Sequence, residues 1–580
     1  MSTGSLVLRH WRFYLICALL AVLLAVVCVR IVMLQVIDVE GGYRFLQQQG
    51  NARYVRTEPI PANRGIIYDR KGEPIAVSTQ VRSIWCNPSI MPLDHQQFAS
   101  VAELLGYSDS ELASKVRENG RRQFLYLRRQ LPPQDAQRVI DLGVPGVFAE
   151  DSYKRYYPNA EVTAHLVGFT GRSDQGLEGM ELTYDRHLRG VPGARQMIKD
   201  RQGETVSAFR HVSSAQPGRS LQLSIDLRIQ YLAYRALKRA VQKAKAASAS
   251  MVVVDVATGD VLALVNQPSF NPNNRADFEP GRMRNRAIVD VLEPGSTVKP
   301  FTVVAALESG RYTPATRIDT NPGYIRVGRK IQRDHRNYGV LDVTGLITKS
   351  SQVATSKIAL SLEPEAIRSV FYRLGLGQST GLGFPGEAVG VLPNRPRWRD
   401  IERVTFAFGY GLSVTPLQLA QAYHVLANGG IKKNLRLVME QPVDPGVRVI
   451  DEHIARQVLA MLKTVTEDGG TAAKAAIPAY SFAGKTGTVH KVSRTSGAYL
   501  EDRYVSLFAG MAPAHNPRLV GVVVVHEPEG DYYGGAVAAP VFSDVAGDAL
   551  RLMGVLPDKL EDYRGHEWLV ADGEDDDVPG

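Results

Sequence analysis

Cysteine is nearly absent: there are three in 580 residues, and two of them, Cys17 and Cys28, fall inside the first apolar segment. Only Cys86 remains for the rest of the chain, which excludes an intramolecular disulfide beyond that segment and any cysteine-built metal site. No zinc-finger spacing and no RNA-binding aromatic motif occurs, and the formal charge of +9 is spread along the chain. Such a surplus hints at an anionic partner, with nucleic acid a poorer guess than an anionic envelope polymer. The composition, 44% hydrophobic and 22% charged, is that of an ordinary folded protein. At 580 residues the chain is too long for one core, because single cores stop growing at about 250 to 300 residues.

From Phe13 to Val29 the run FYLICALLAVLLAVVCV carries no charge, and with Arg30 tolerated the apolar stretch continues to Ile37. About 20 such residues cross a bilayer, and Arg30 can snorkel to an interface. Arg9 and Arg12 precede the run while Asp38 and Glu40 follow it, so the basic residues place the N-terminus, 1–12, in the cytoplasm. The run is long and ends in no clear small-x-small cleavage site, which favours an uncleaved anchor over a cleaved signal peptide.

Residues 38–217 are rich in turn signals, including NRGIIYDRKGEPIA (Asn63–Ala76), and read as a β-rich pedestal. Arg64 and Asp69 within that motif read as a structural ion pair or turn residues. A second domain, 218–556, opens with the strand-like LQLSID. A helix follows, with Ile229, Leu232, Ala233, Ala236, Leu237, Ala240, Val241 and Ala244 in one stripe. MVVVDV and VLALVN read as a hairpin, and SFAGKTGT, VSLFAGMAP and RLVGVVVVHEP as three later strands with short connections. The expectation is α+β, with a mostly antiparallel five-stranded sheet covered by helices. Residues 557–580 form an acidic tail; its last nine, DGEDDDVPG, hold five acids and read as disordered.

The chemistry concentrates in three places. In LEPGSTVKPF, Pro294 and Gly295 break the chain and Ser296 opens a helix whose first turn tolerates Pro300. Ser296 and Lys299, three apart, share the face at the helix N-terminus, where the dipole helps an alkoxide and weakens a lysine's hold on its proton. For Lys299 to act as base its pKa must fall from about 10.4 to about 7 or 8, roughly 4 kcal/mol, which burial and a second cation can supply. Lys485, Thr486, Gly487 and Thr488 lie on a predicted strand. A phosphate-binding loop is excluded there, since Ala479 stands where that pattern requires glycine. Alternation puts Lys485 and Gly487 on one face and Thr486 and Thr488 on the other, and an extended peptide can add to this edge. The third place is Ser350-Ser351-Gln352, which alone says nothing.

In that order, S-x-x-K, a Ser-x-amide triplet and K-T-G form the signature of penicillin-binding proteins and class A β-lactamases. With NRGIIYDRKGEPIA, RYYP, HLVG, GLEGMELTYD, DHRNYGVLDVTGLITKSS, FGYGLSVTPLQLAQAY, GTAAKA and DYYGG, the chain resembles the class B penicillin-binding proteins, nearest to the division-specific peptidoglycan D,D-transpeptidases of the FtsI family. The likeness runs from the anchor to about Met553. It departs at Gln352, where the family has asparagine, one methylene shorter. This leaves open the main septal enzyme, a specialised paralogue, or a catalytically weakened division scaffold.

The resemblance implies that Ser296 attacks the penultimate D-Ala carbonyl of a stem peptide. Lys299 takes the nucleophile's proton, Ser350 relays one to the leaving group, Lys485 draws the substrate carboxylate, and the amides of Ser296 and Thr488 form an oxyanion hole. It implies a penicillin-binding transpeptidase domain on a dimerisation domain in the periplasm, inner-membrane attachment by one helix, no cofactor or metal, and no nucleic acid. Its partners would be peptidoglycan stem peptides, β-lactams, an FtsW-type glycosyltransferase and other division proteins. A β-lactamase is disfavoured, because no E-x-x-L-N segment supplies its deacylating glutamate. Tyr504, Tyr532 and Tyr533 read as groove residues or as packing. His335, His490 and His526 read as structural, with no Ser-His-Asp order on a G-x-S-x-G elbow expected.

Overall fold

The computed structural model describes residues 10–35, 55–199, 205–493 and 497–559. The acidic run from Asp572 to Gly580 and the last two residues of the 13–37 anchor lie outside them. Helix α1 (His10–Gln35) has no acid and only two arginines, and its His10–Met33 stretch, of mean hydropathy 3.0, is long and apolar enough to cross a bilayer.

The described chain divides into two compact units. The first comprises 1–63, 80–154 and 190–218. Strand β1 (Val55–Ile60) belongs to it, as does the part of β2 (Pro74–Cys86) from Gln80 onward. Helices α2 (Phe98–Leu105), α3 (Asp109–Glu118) and α4 (Pro133–Asp141) also belong to it, with strands β3 (Leu125–Leu131), β4 (Gly193–Lys199) and β5 (Thr205–Ser213) and most of the strand Val147–Tyr156. Strands β1, β4 and β5 form one antiparallel sheet, and β2 pairs with β3 from Arg82↔Leu131 to Cys86↔Leu125. The three helices, which the turn-rich sequence did not announce, close a core of Ile84, Phe98, Val101, Leu105, Leu112, Leu127 and Val139. Helix α3 starts where Ser108 and Glu111 cap one another reciprocally. Cys86 is buried in this core, and burial pushes its thiol up to about 12, which leaves it an inert apolar residue.

The second unit comprises 64–79, 155–189 and 219–580, so part of the chain before residue 218 belongs to it. Those early segments are knit by Glu181, whose fully buried carboxylate accepts from Arg64 Nε and Arg155 Nε, each at 2.6 Å, while Arg64 also reaches Asp185 at 2.8 Å. Asp69, which the sequence offers as a partner for Arg64, instead accepts the backbone N–H groups of Lys71, Glu73 and Leu227.

Beyond these lie α5 (Leu227–Lys243), β6 (Ser248–Asp255), β7 (Val261–Gln267), α6 (Lys299–Glu308), α7 (Val343–Lys349), α8 (Gln352–Ser361) and α9 (Pro416–Ala427), followed by β8 (Ala483–Val492), β9 (Tyr499–Ala512), β10 (Leu519–His526) and α10 (Ala539–Leu552). The five strands anticipated from the sequence make one sheet, ordered β7-β6-β10-β9-β8, with every pairing antiparallel. Strands β6, β7 and β10 are buried almost throughout, as their unbroken valine-rich runs require, and α5, α9 and α10 cover the sheet. The LQLSID segment forms only a two-residue strand outside this sheet.

In α5 the buried stripe holds Ile229, Ala233, Ala236 and Leu237, while Leu232, Ala240 and Val241 are half-buried. Gln230 is buried as well: its amide donates to the carbonyls of Val162 and Leu264 and accepts from Leu264 N–H. Hydrophobic periodicity cannot see a polar side chain whose hydrogen bonds replace water.

Because both arginines are buried against one carboxylate, Glu181→Ala strands Arg155 in a dry site and leaves Arg64 with Asp185 alone. It is expected to lower unfolding free energy by about 3 to 5 kcal/mol, read by denaturant titration against wild type.

Candidate active site

Pro294 leads into Gly295 in the left-handed region (φ +52°), whose N–H donates to Gly409 O at 3.1 Å. Residues Gly295–Val298 form a single 3₁₀ turn, and the α-helix begins only at Lys299, with Pro300 in its first turn. The sequence suggested one continuous helix from Ser296. The tighter turn, with three residues per repeat, stacks Ser296 and Lys299 directly in line. The turn is pinned by Thr297 Oγ1 donating to Pro294 O (2.7 Å) and by Tyr423 OH donating to Thr297 O (2.7 Å). Gly409 is irreplaceable beside it, since its φ is +92° and a Cβ would lie 2.2 Å from Gly295 O.

The turn packs on the edge strand β8. A Cβ on Gly487 would meet Thr297 Cγ2 at 2.9 Å and Pro294 O at 3.3 Å, so this glycine admits the close approach expected of it. Alternation along β8 holds: Lys485 is fully buried on the side that Gly487 shares, while Thr486 and Thr488 face other neighbours. Thr486 Oγ1 meets Thr471 Oγ1 at 2.8 Å, and Thr488 Oγ1 accepts from Gly534 N–H at 3.0 Å. Among the described residues strand β8 pairs only with β9, which makes it an edge strand, where an extended peptide can add.

Helix α7 ends at Ser350, a non-glycine residue at φ +57°, and Ser351 immediately caps α8. This left-handed link turns Ser350 toward the nucleophile's helix: Lys299 Nζ donates to Ser350 O at 2.5 Å and to Ser350 Oγ at 3.2 Å. Asp334, which the sequence reading did not single out, accepts from Ser351 Oγ (2.7 Å) and from the N–H groups of Gln352 (2.5 Å) and Val353 (3.1 Å). It stands in the stretch DHRNYG, but no spacing rule relates an aspartate in a loop to a helix cap 17 residues on. Gln352 begins α8, half-buried, and its side-chain amide makes no hydrogen bond among the described residues.

Two lysines therefore share one dry region. Burial pulls the Lys299 ammonium down to about 7, with the Asp334 carboxylate resisting the fall. Burial, and then the neighbouring Lys299 charge, hold Lys485 well below the ordinary lysine range; its ammonium donates to Thr486 O at 3.2 Å. The Ser296 hydroxyl makes no hydrogen bond among the described residues.

The tyrosines form a ladder over the strand end. His490 lies 4.6 Å from Tyr504, Tyr504 stacks on Tyr532 at 3.9 Å, Tyr532 meets Tyr533 at 4.7 Å, and Tyr533 meets His335 edge-on at 6.0 Å. Ser506 Oγ donates to Tyr532 O (2.6 Å) and fixes the turn that carries two of the rings. His526 is half-buried, and desolvation pulls it down to about 4. A G-x-S-x-G string does occur at Gly377–Gly381, contrary to the sequence expectation. Ser379 lies there in an irregular loop with its hydroxyl donating to Glu387 at 3.0 Å, so it is no strand-to-helix elbow.

Residues 249–547 match the family described as penicillin binding protein transpeptidase domain, and residues 59–223 the penicillin-binding protein dimerisation domain. The chain is 42% identical to the peptidoglycan D,D-transpeptidase FtsI of Escherichia coli K12 over 97% of its own length and 95% of that protein's. It is 41% identical to the probable peptidoglycan D,D-transpeptidase PbpC of Pseudomonas aeruginosa over 96% and 97%. Among solved structures it resembles penicillin-binding protein 3 of Mycobacterium tuberculosis complexed with aztreonam, with TM-score 0.67, 27% identity and 86% and 98% of the two chains covered.

A base with its pKa near 7 is neutral only above that pH. The rate at which Ser296 takes up an acylating reagent is therefore expected to rise through about pH 7 and level off above it, and Lys299→Met to lower the plateau by about 10² to 10⁴. Gly409→Ala, by displacing the Gly295–Val298 turn, is expected to slow the same reaction on the order of a hundredfold; stopped-flow measurement of covalent labelling checks both.

Proposed function

The chain belongs to the class B penicillin-binding proteins, a family of peptidoglycan D,D-transpeptidases, and on that footing we propose that it cross-links stem peptides through an acyl-enzyme on Ser296. What carries the reading is one observation. Lys299 is fully buried, sits one turn from Ser296, donates to Ser350 and bears with its charge on Lys485.

In the first half-reaction neutral Lys299 takes the Ser296 proton as Oγ attacks the carbonyl of the penultimate D-Ala. The oxygen's developing charge is met by the amides of Ser296 and Thr488, each such donor contributing about 3 kcal/mol in comparable sites. Collapse breaks the peptide C–N bond, and the proton passes through Ser350 to the departing D-Ala amine. Lys485, with the hydroxyls of Thr486 and Thr488, holds the substrate's terminal carboxylate, while the donor peptide lies along the free edge of β8 beside Gly487. Tyr504, Tyr532 and Tyr533 wall the groove, and the Gln352 amide faces the donor where the family presents asparagine. In the second half-reaction an amine from a neighbouring strand attacks the ester, Lys299 removes its proton, and Ser296 leaves as the free hydroxyl.

A β-lactam offers the same carbonyl and carboxylate but keeps its leaving amine tethered, so ring opening leaves Ser296 acylated. The reading extends to a catalytic domain in the periplasm, anchored in the inner membrane by α1. There it would serve septal wall synthesis beside an FtsW-type glycosyltransferase and other division proteins. The domain division proposed is 1–12 cytoplasmic, 13–37 anchor, 38–217 dimerisation domain, 218–556 transpeptidase domain and 557–580 tail.

Intact-protein mass spectrometry after penicillin exposure is expected to show one added penicillin per chain, the whole reagent retained, and none on Ser296→Ala. An adduct that survives this substitution, or its absence from wild type, removes the basis for the mechanism.

A further inference from the structure

The segment bearing Ser350 cannot hold its own shape. Ser350 occupies the left-handed region without being glycine, and it links two short helices, α7 and α8, with a single residue between their ends and the next cap. Such a link persists only where the surroundings fix it. Three of its anchors lead to one side chain outside it: Asp334 Oδ2 accepts from Ser351 Oγ, and Oδ1 accepts from both Gln352 N–H and Val353 N–H. A carboxylate on the first amides of a helix is favourably placed against the dipole. The same carboxylate acts on Lys299, whose other charged neighbour, Lys485, lies on β8.

We propose that Asp334 is a positioning residue for the Ser296 chemistry, its carboxylate both locking the Ser350–Gln352 turn and supplying the anionic charge that balances Lys485 around Lys299. It touches no reacting atom. Its effect passes through Ser351 and the α8 amides to Ser350, and through space to the general base. This inference rests on the acyl-enzyme reading.

The two roles separate by substitution. Asp334→Asn keeps the shape and one acceptor but removes the charge, Ser351→Ala removes one tether but keeps the charge, and Asp334→Glu keeps the charge one methylene further out. Acylation of the full chain in detergent by fluorescent penicillin is followed against pH, with thermal unfolding monitored by circular dichroism to confirm folding.

Asp334→Asn is expected to be acylated at least about tenfold more slowly and to move the acid limb of the profile toward lower pH by about half a unit or more, since loss of a nearby anion favours the neutral lysine. Ser351→Ala and Asp334→Glu are expected to slow acylation while leaving the limb in place. An Asp334→Asn protein labelled at the wild-type rate overturns the proposal, and so does one slowed with an unmoved limb. If Asp334→Asn does not fold, a Ser351→Ala protein at full speed overturns the tether. Wild type that takes up no label at any pH overturns the acyl-enzyme reading itself, an outcome distinct from these.

Discussion

Everything around Ser296 depends on keeping two lysine side chains out of water. An ammonium in water holds its proton too firmly to serve as a base near neutrality, and desolvation is the largest influence acting on both Lys299 and Lys485. The Lys299 charge also makes the Lys485 charge less tolerable. The protein does not neutralise the pair with two carboxylates. It allows Lys299 one partial counter-charge at Asp334 and gives its protons oxygen acceptors at Ser350. Full pairing would restore an ordinary lysine.

The scaffold follows from that constraint. Helix α6 is buried from Lys299 through Leu307, so Lys299 stands at the mouth of a core helix with no solvent-facing stripe. The 3₁₀ turn before it raises Ser296 to the rim, and the turn keeps its shape because Gly409 lets the chain pass within contact distance of Gly295. Lys485 reaches the same region from the edge of a sheet whose inner strands β6 and β10 are buried almost throughout. The cation is thus held by a rigid element, while the edge beyond it remains unpaired. Placing reactive groups on such elements limits the misalignment that weakens catalysis.

Gln352 fits this arrangement without disturbing it. Its backbone N–H is captured by Asp334 and its carbonyl accepts from Ser356 Oγ, bonds that any residue at the start of α8 would make. Glutamine in place of asparagine therefore alters only the length of a side chain whose amide makes no hydrogen bond among the described residues.

Much of this was legible from residues alone. Three of the five strands were marked by valine-rich runs and the other two by apolar runs with short connections, the anchor by its length without charge, and Ser296, Lys299 and the Lys485–Thr488 run by their order and spacing. Those features are local, and local sequence carries them. The sequence could not announce Asp334, Gln230 or the pairing of Arg64 with Glu181 in place of Asp69. Each of these is a polar group whose partner lies far along the chain, and no periodicity or motif records such a partnership. Nor could it show that Ser350 sits in a left-handed link. The sequence determined which groups could do the chemistry, because their identities and order are covalent facts. Tertiary structure alone decided that the lysines would be dry and close enough to share their charges, because desolvation and Coulomb repulsion belong to the folded surroundings and to no single residue.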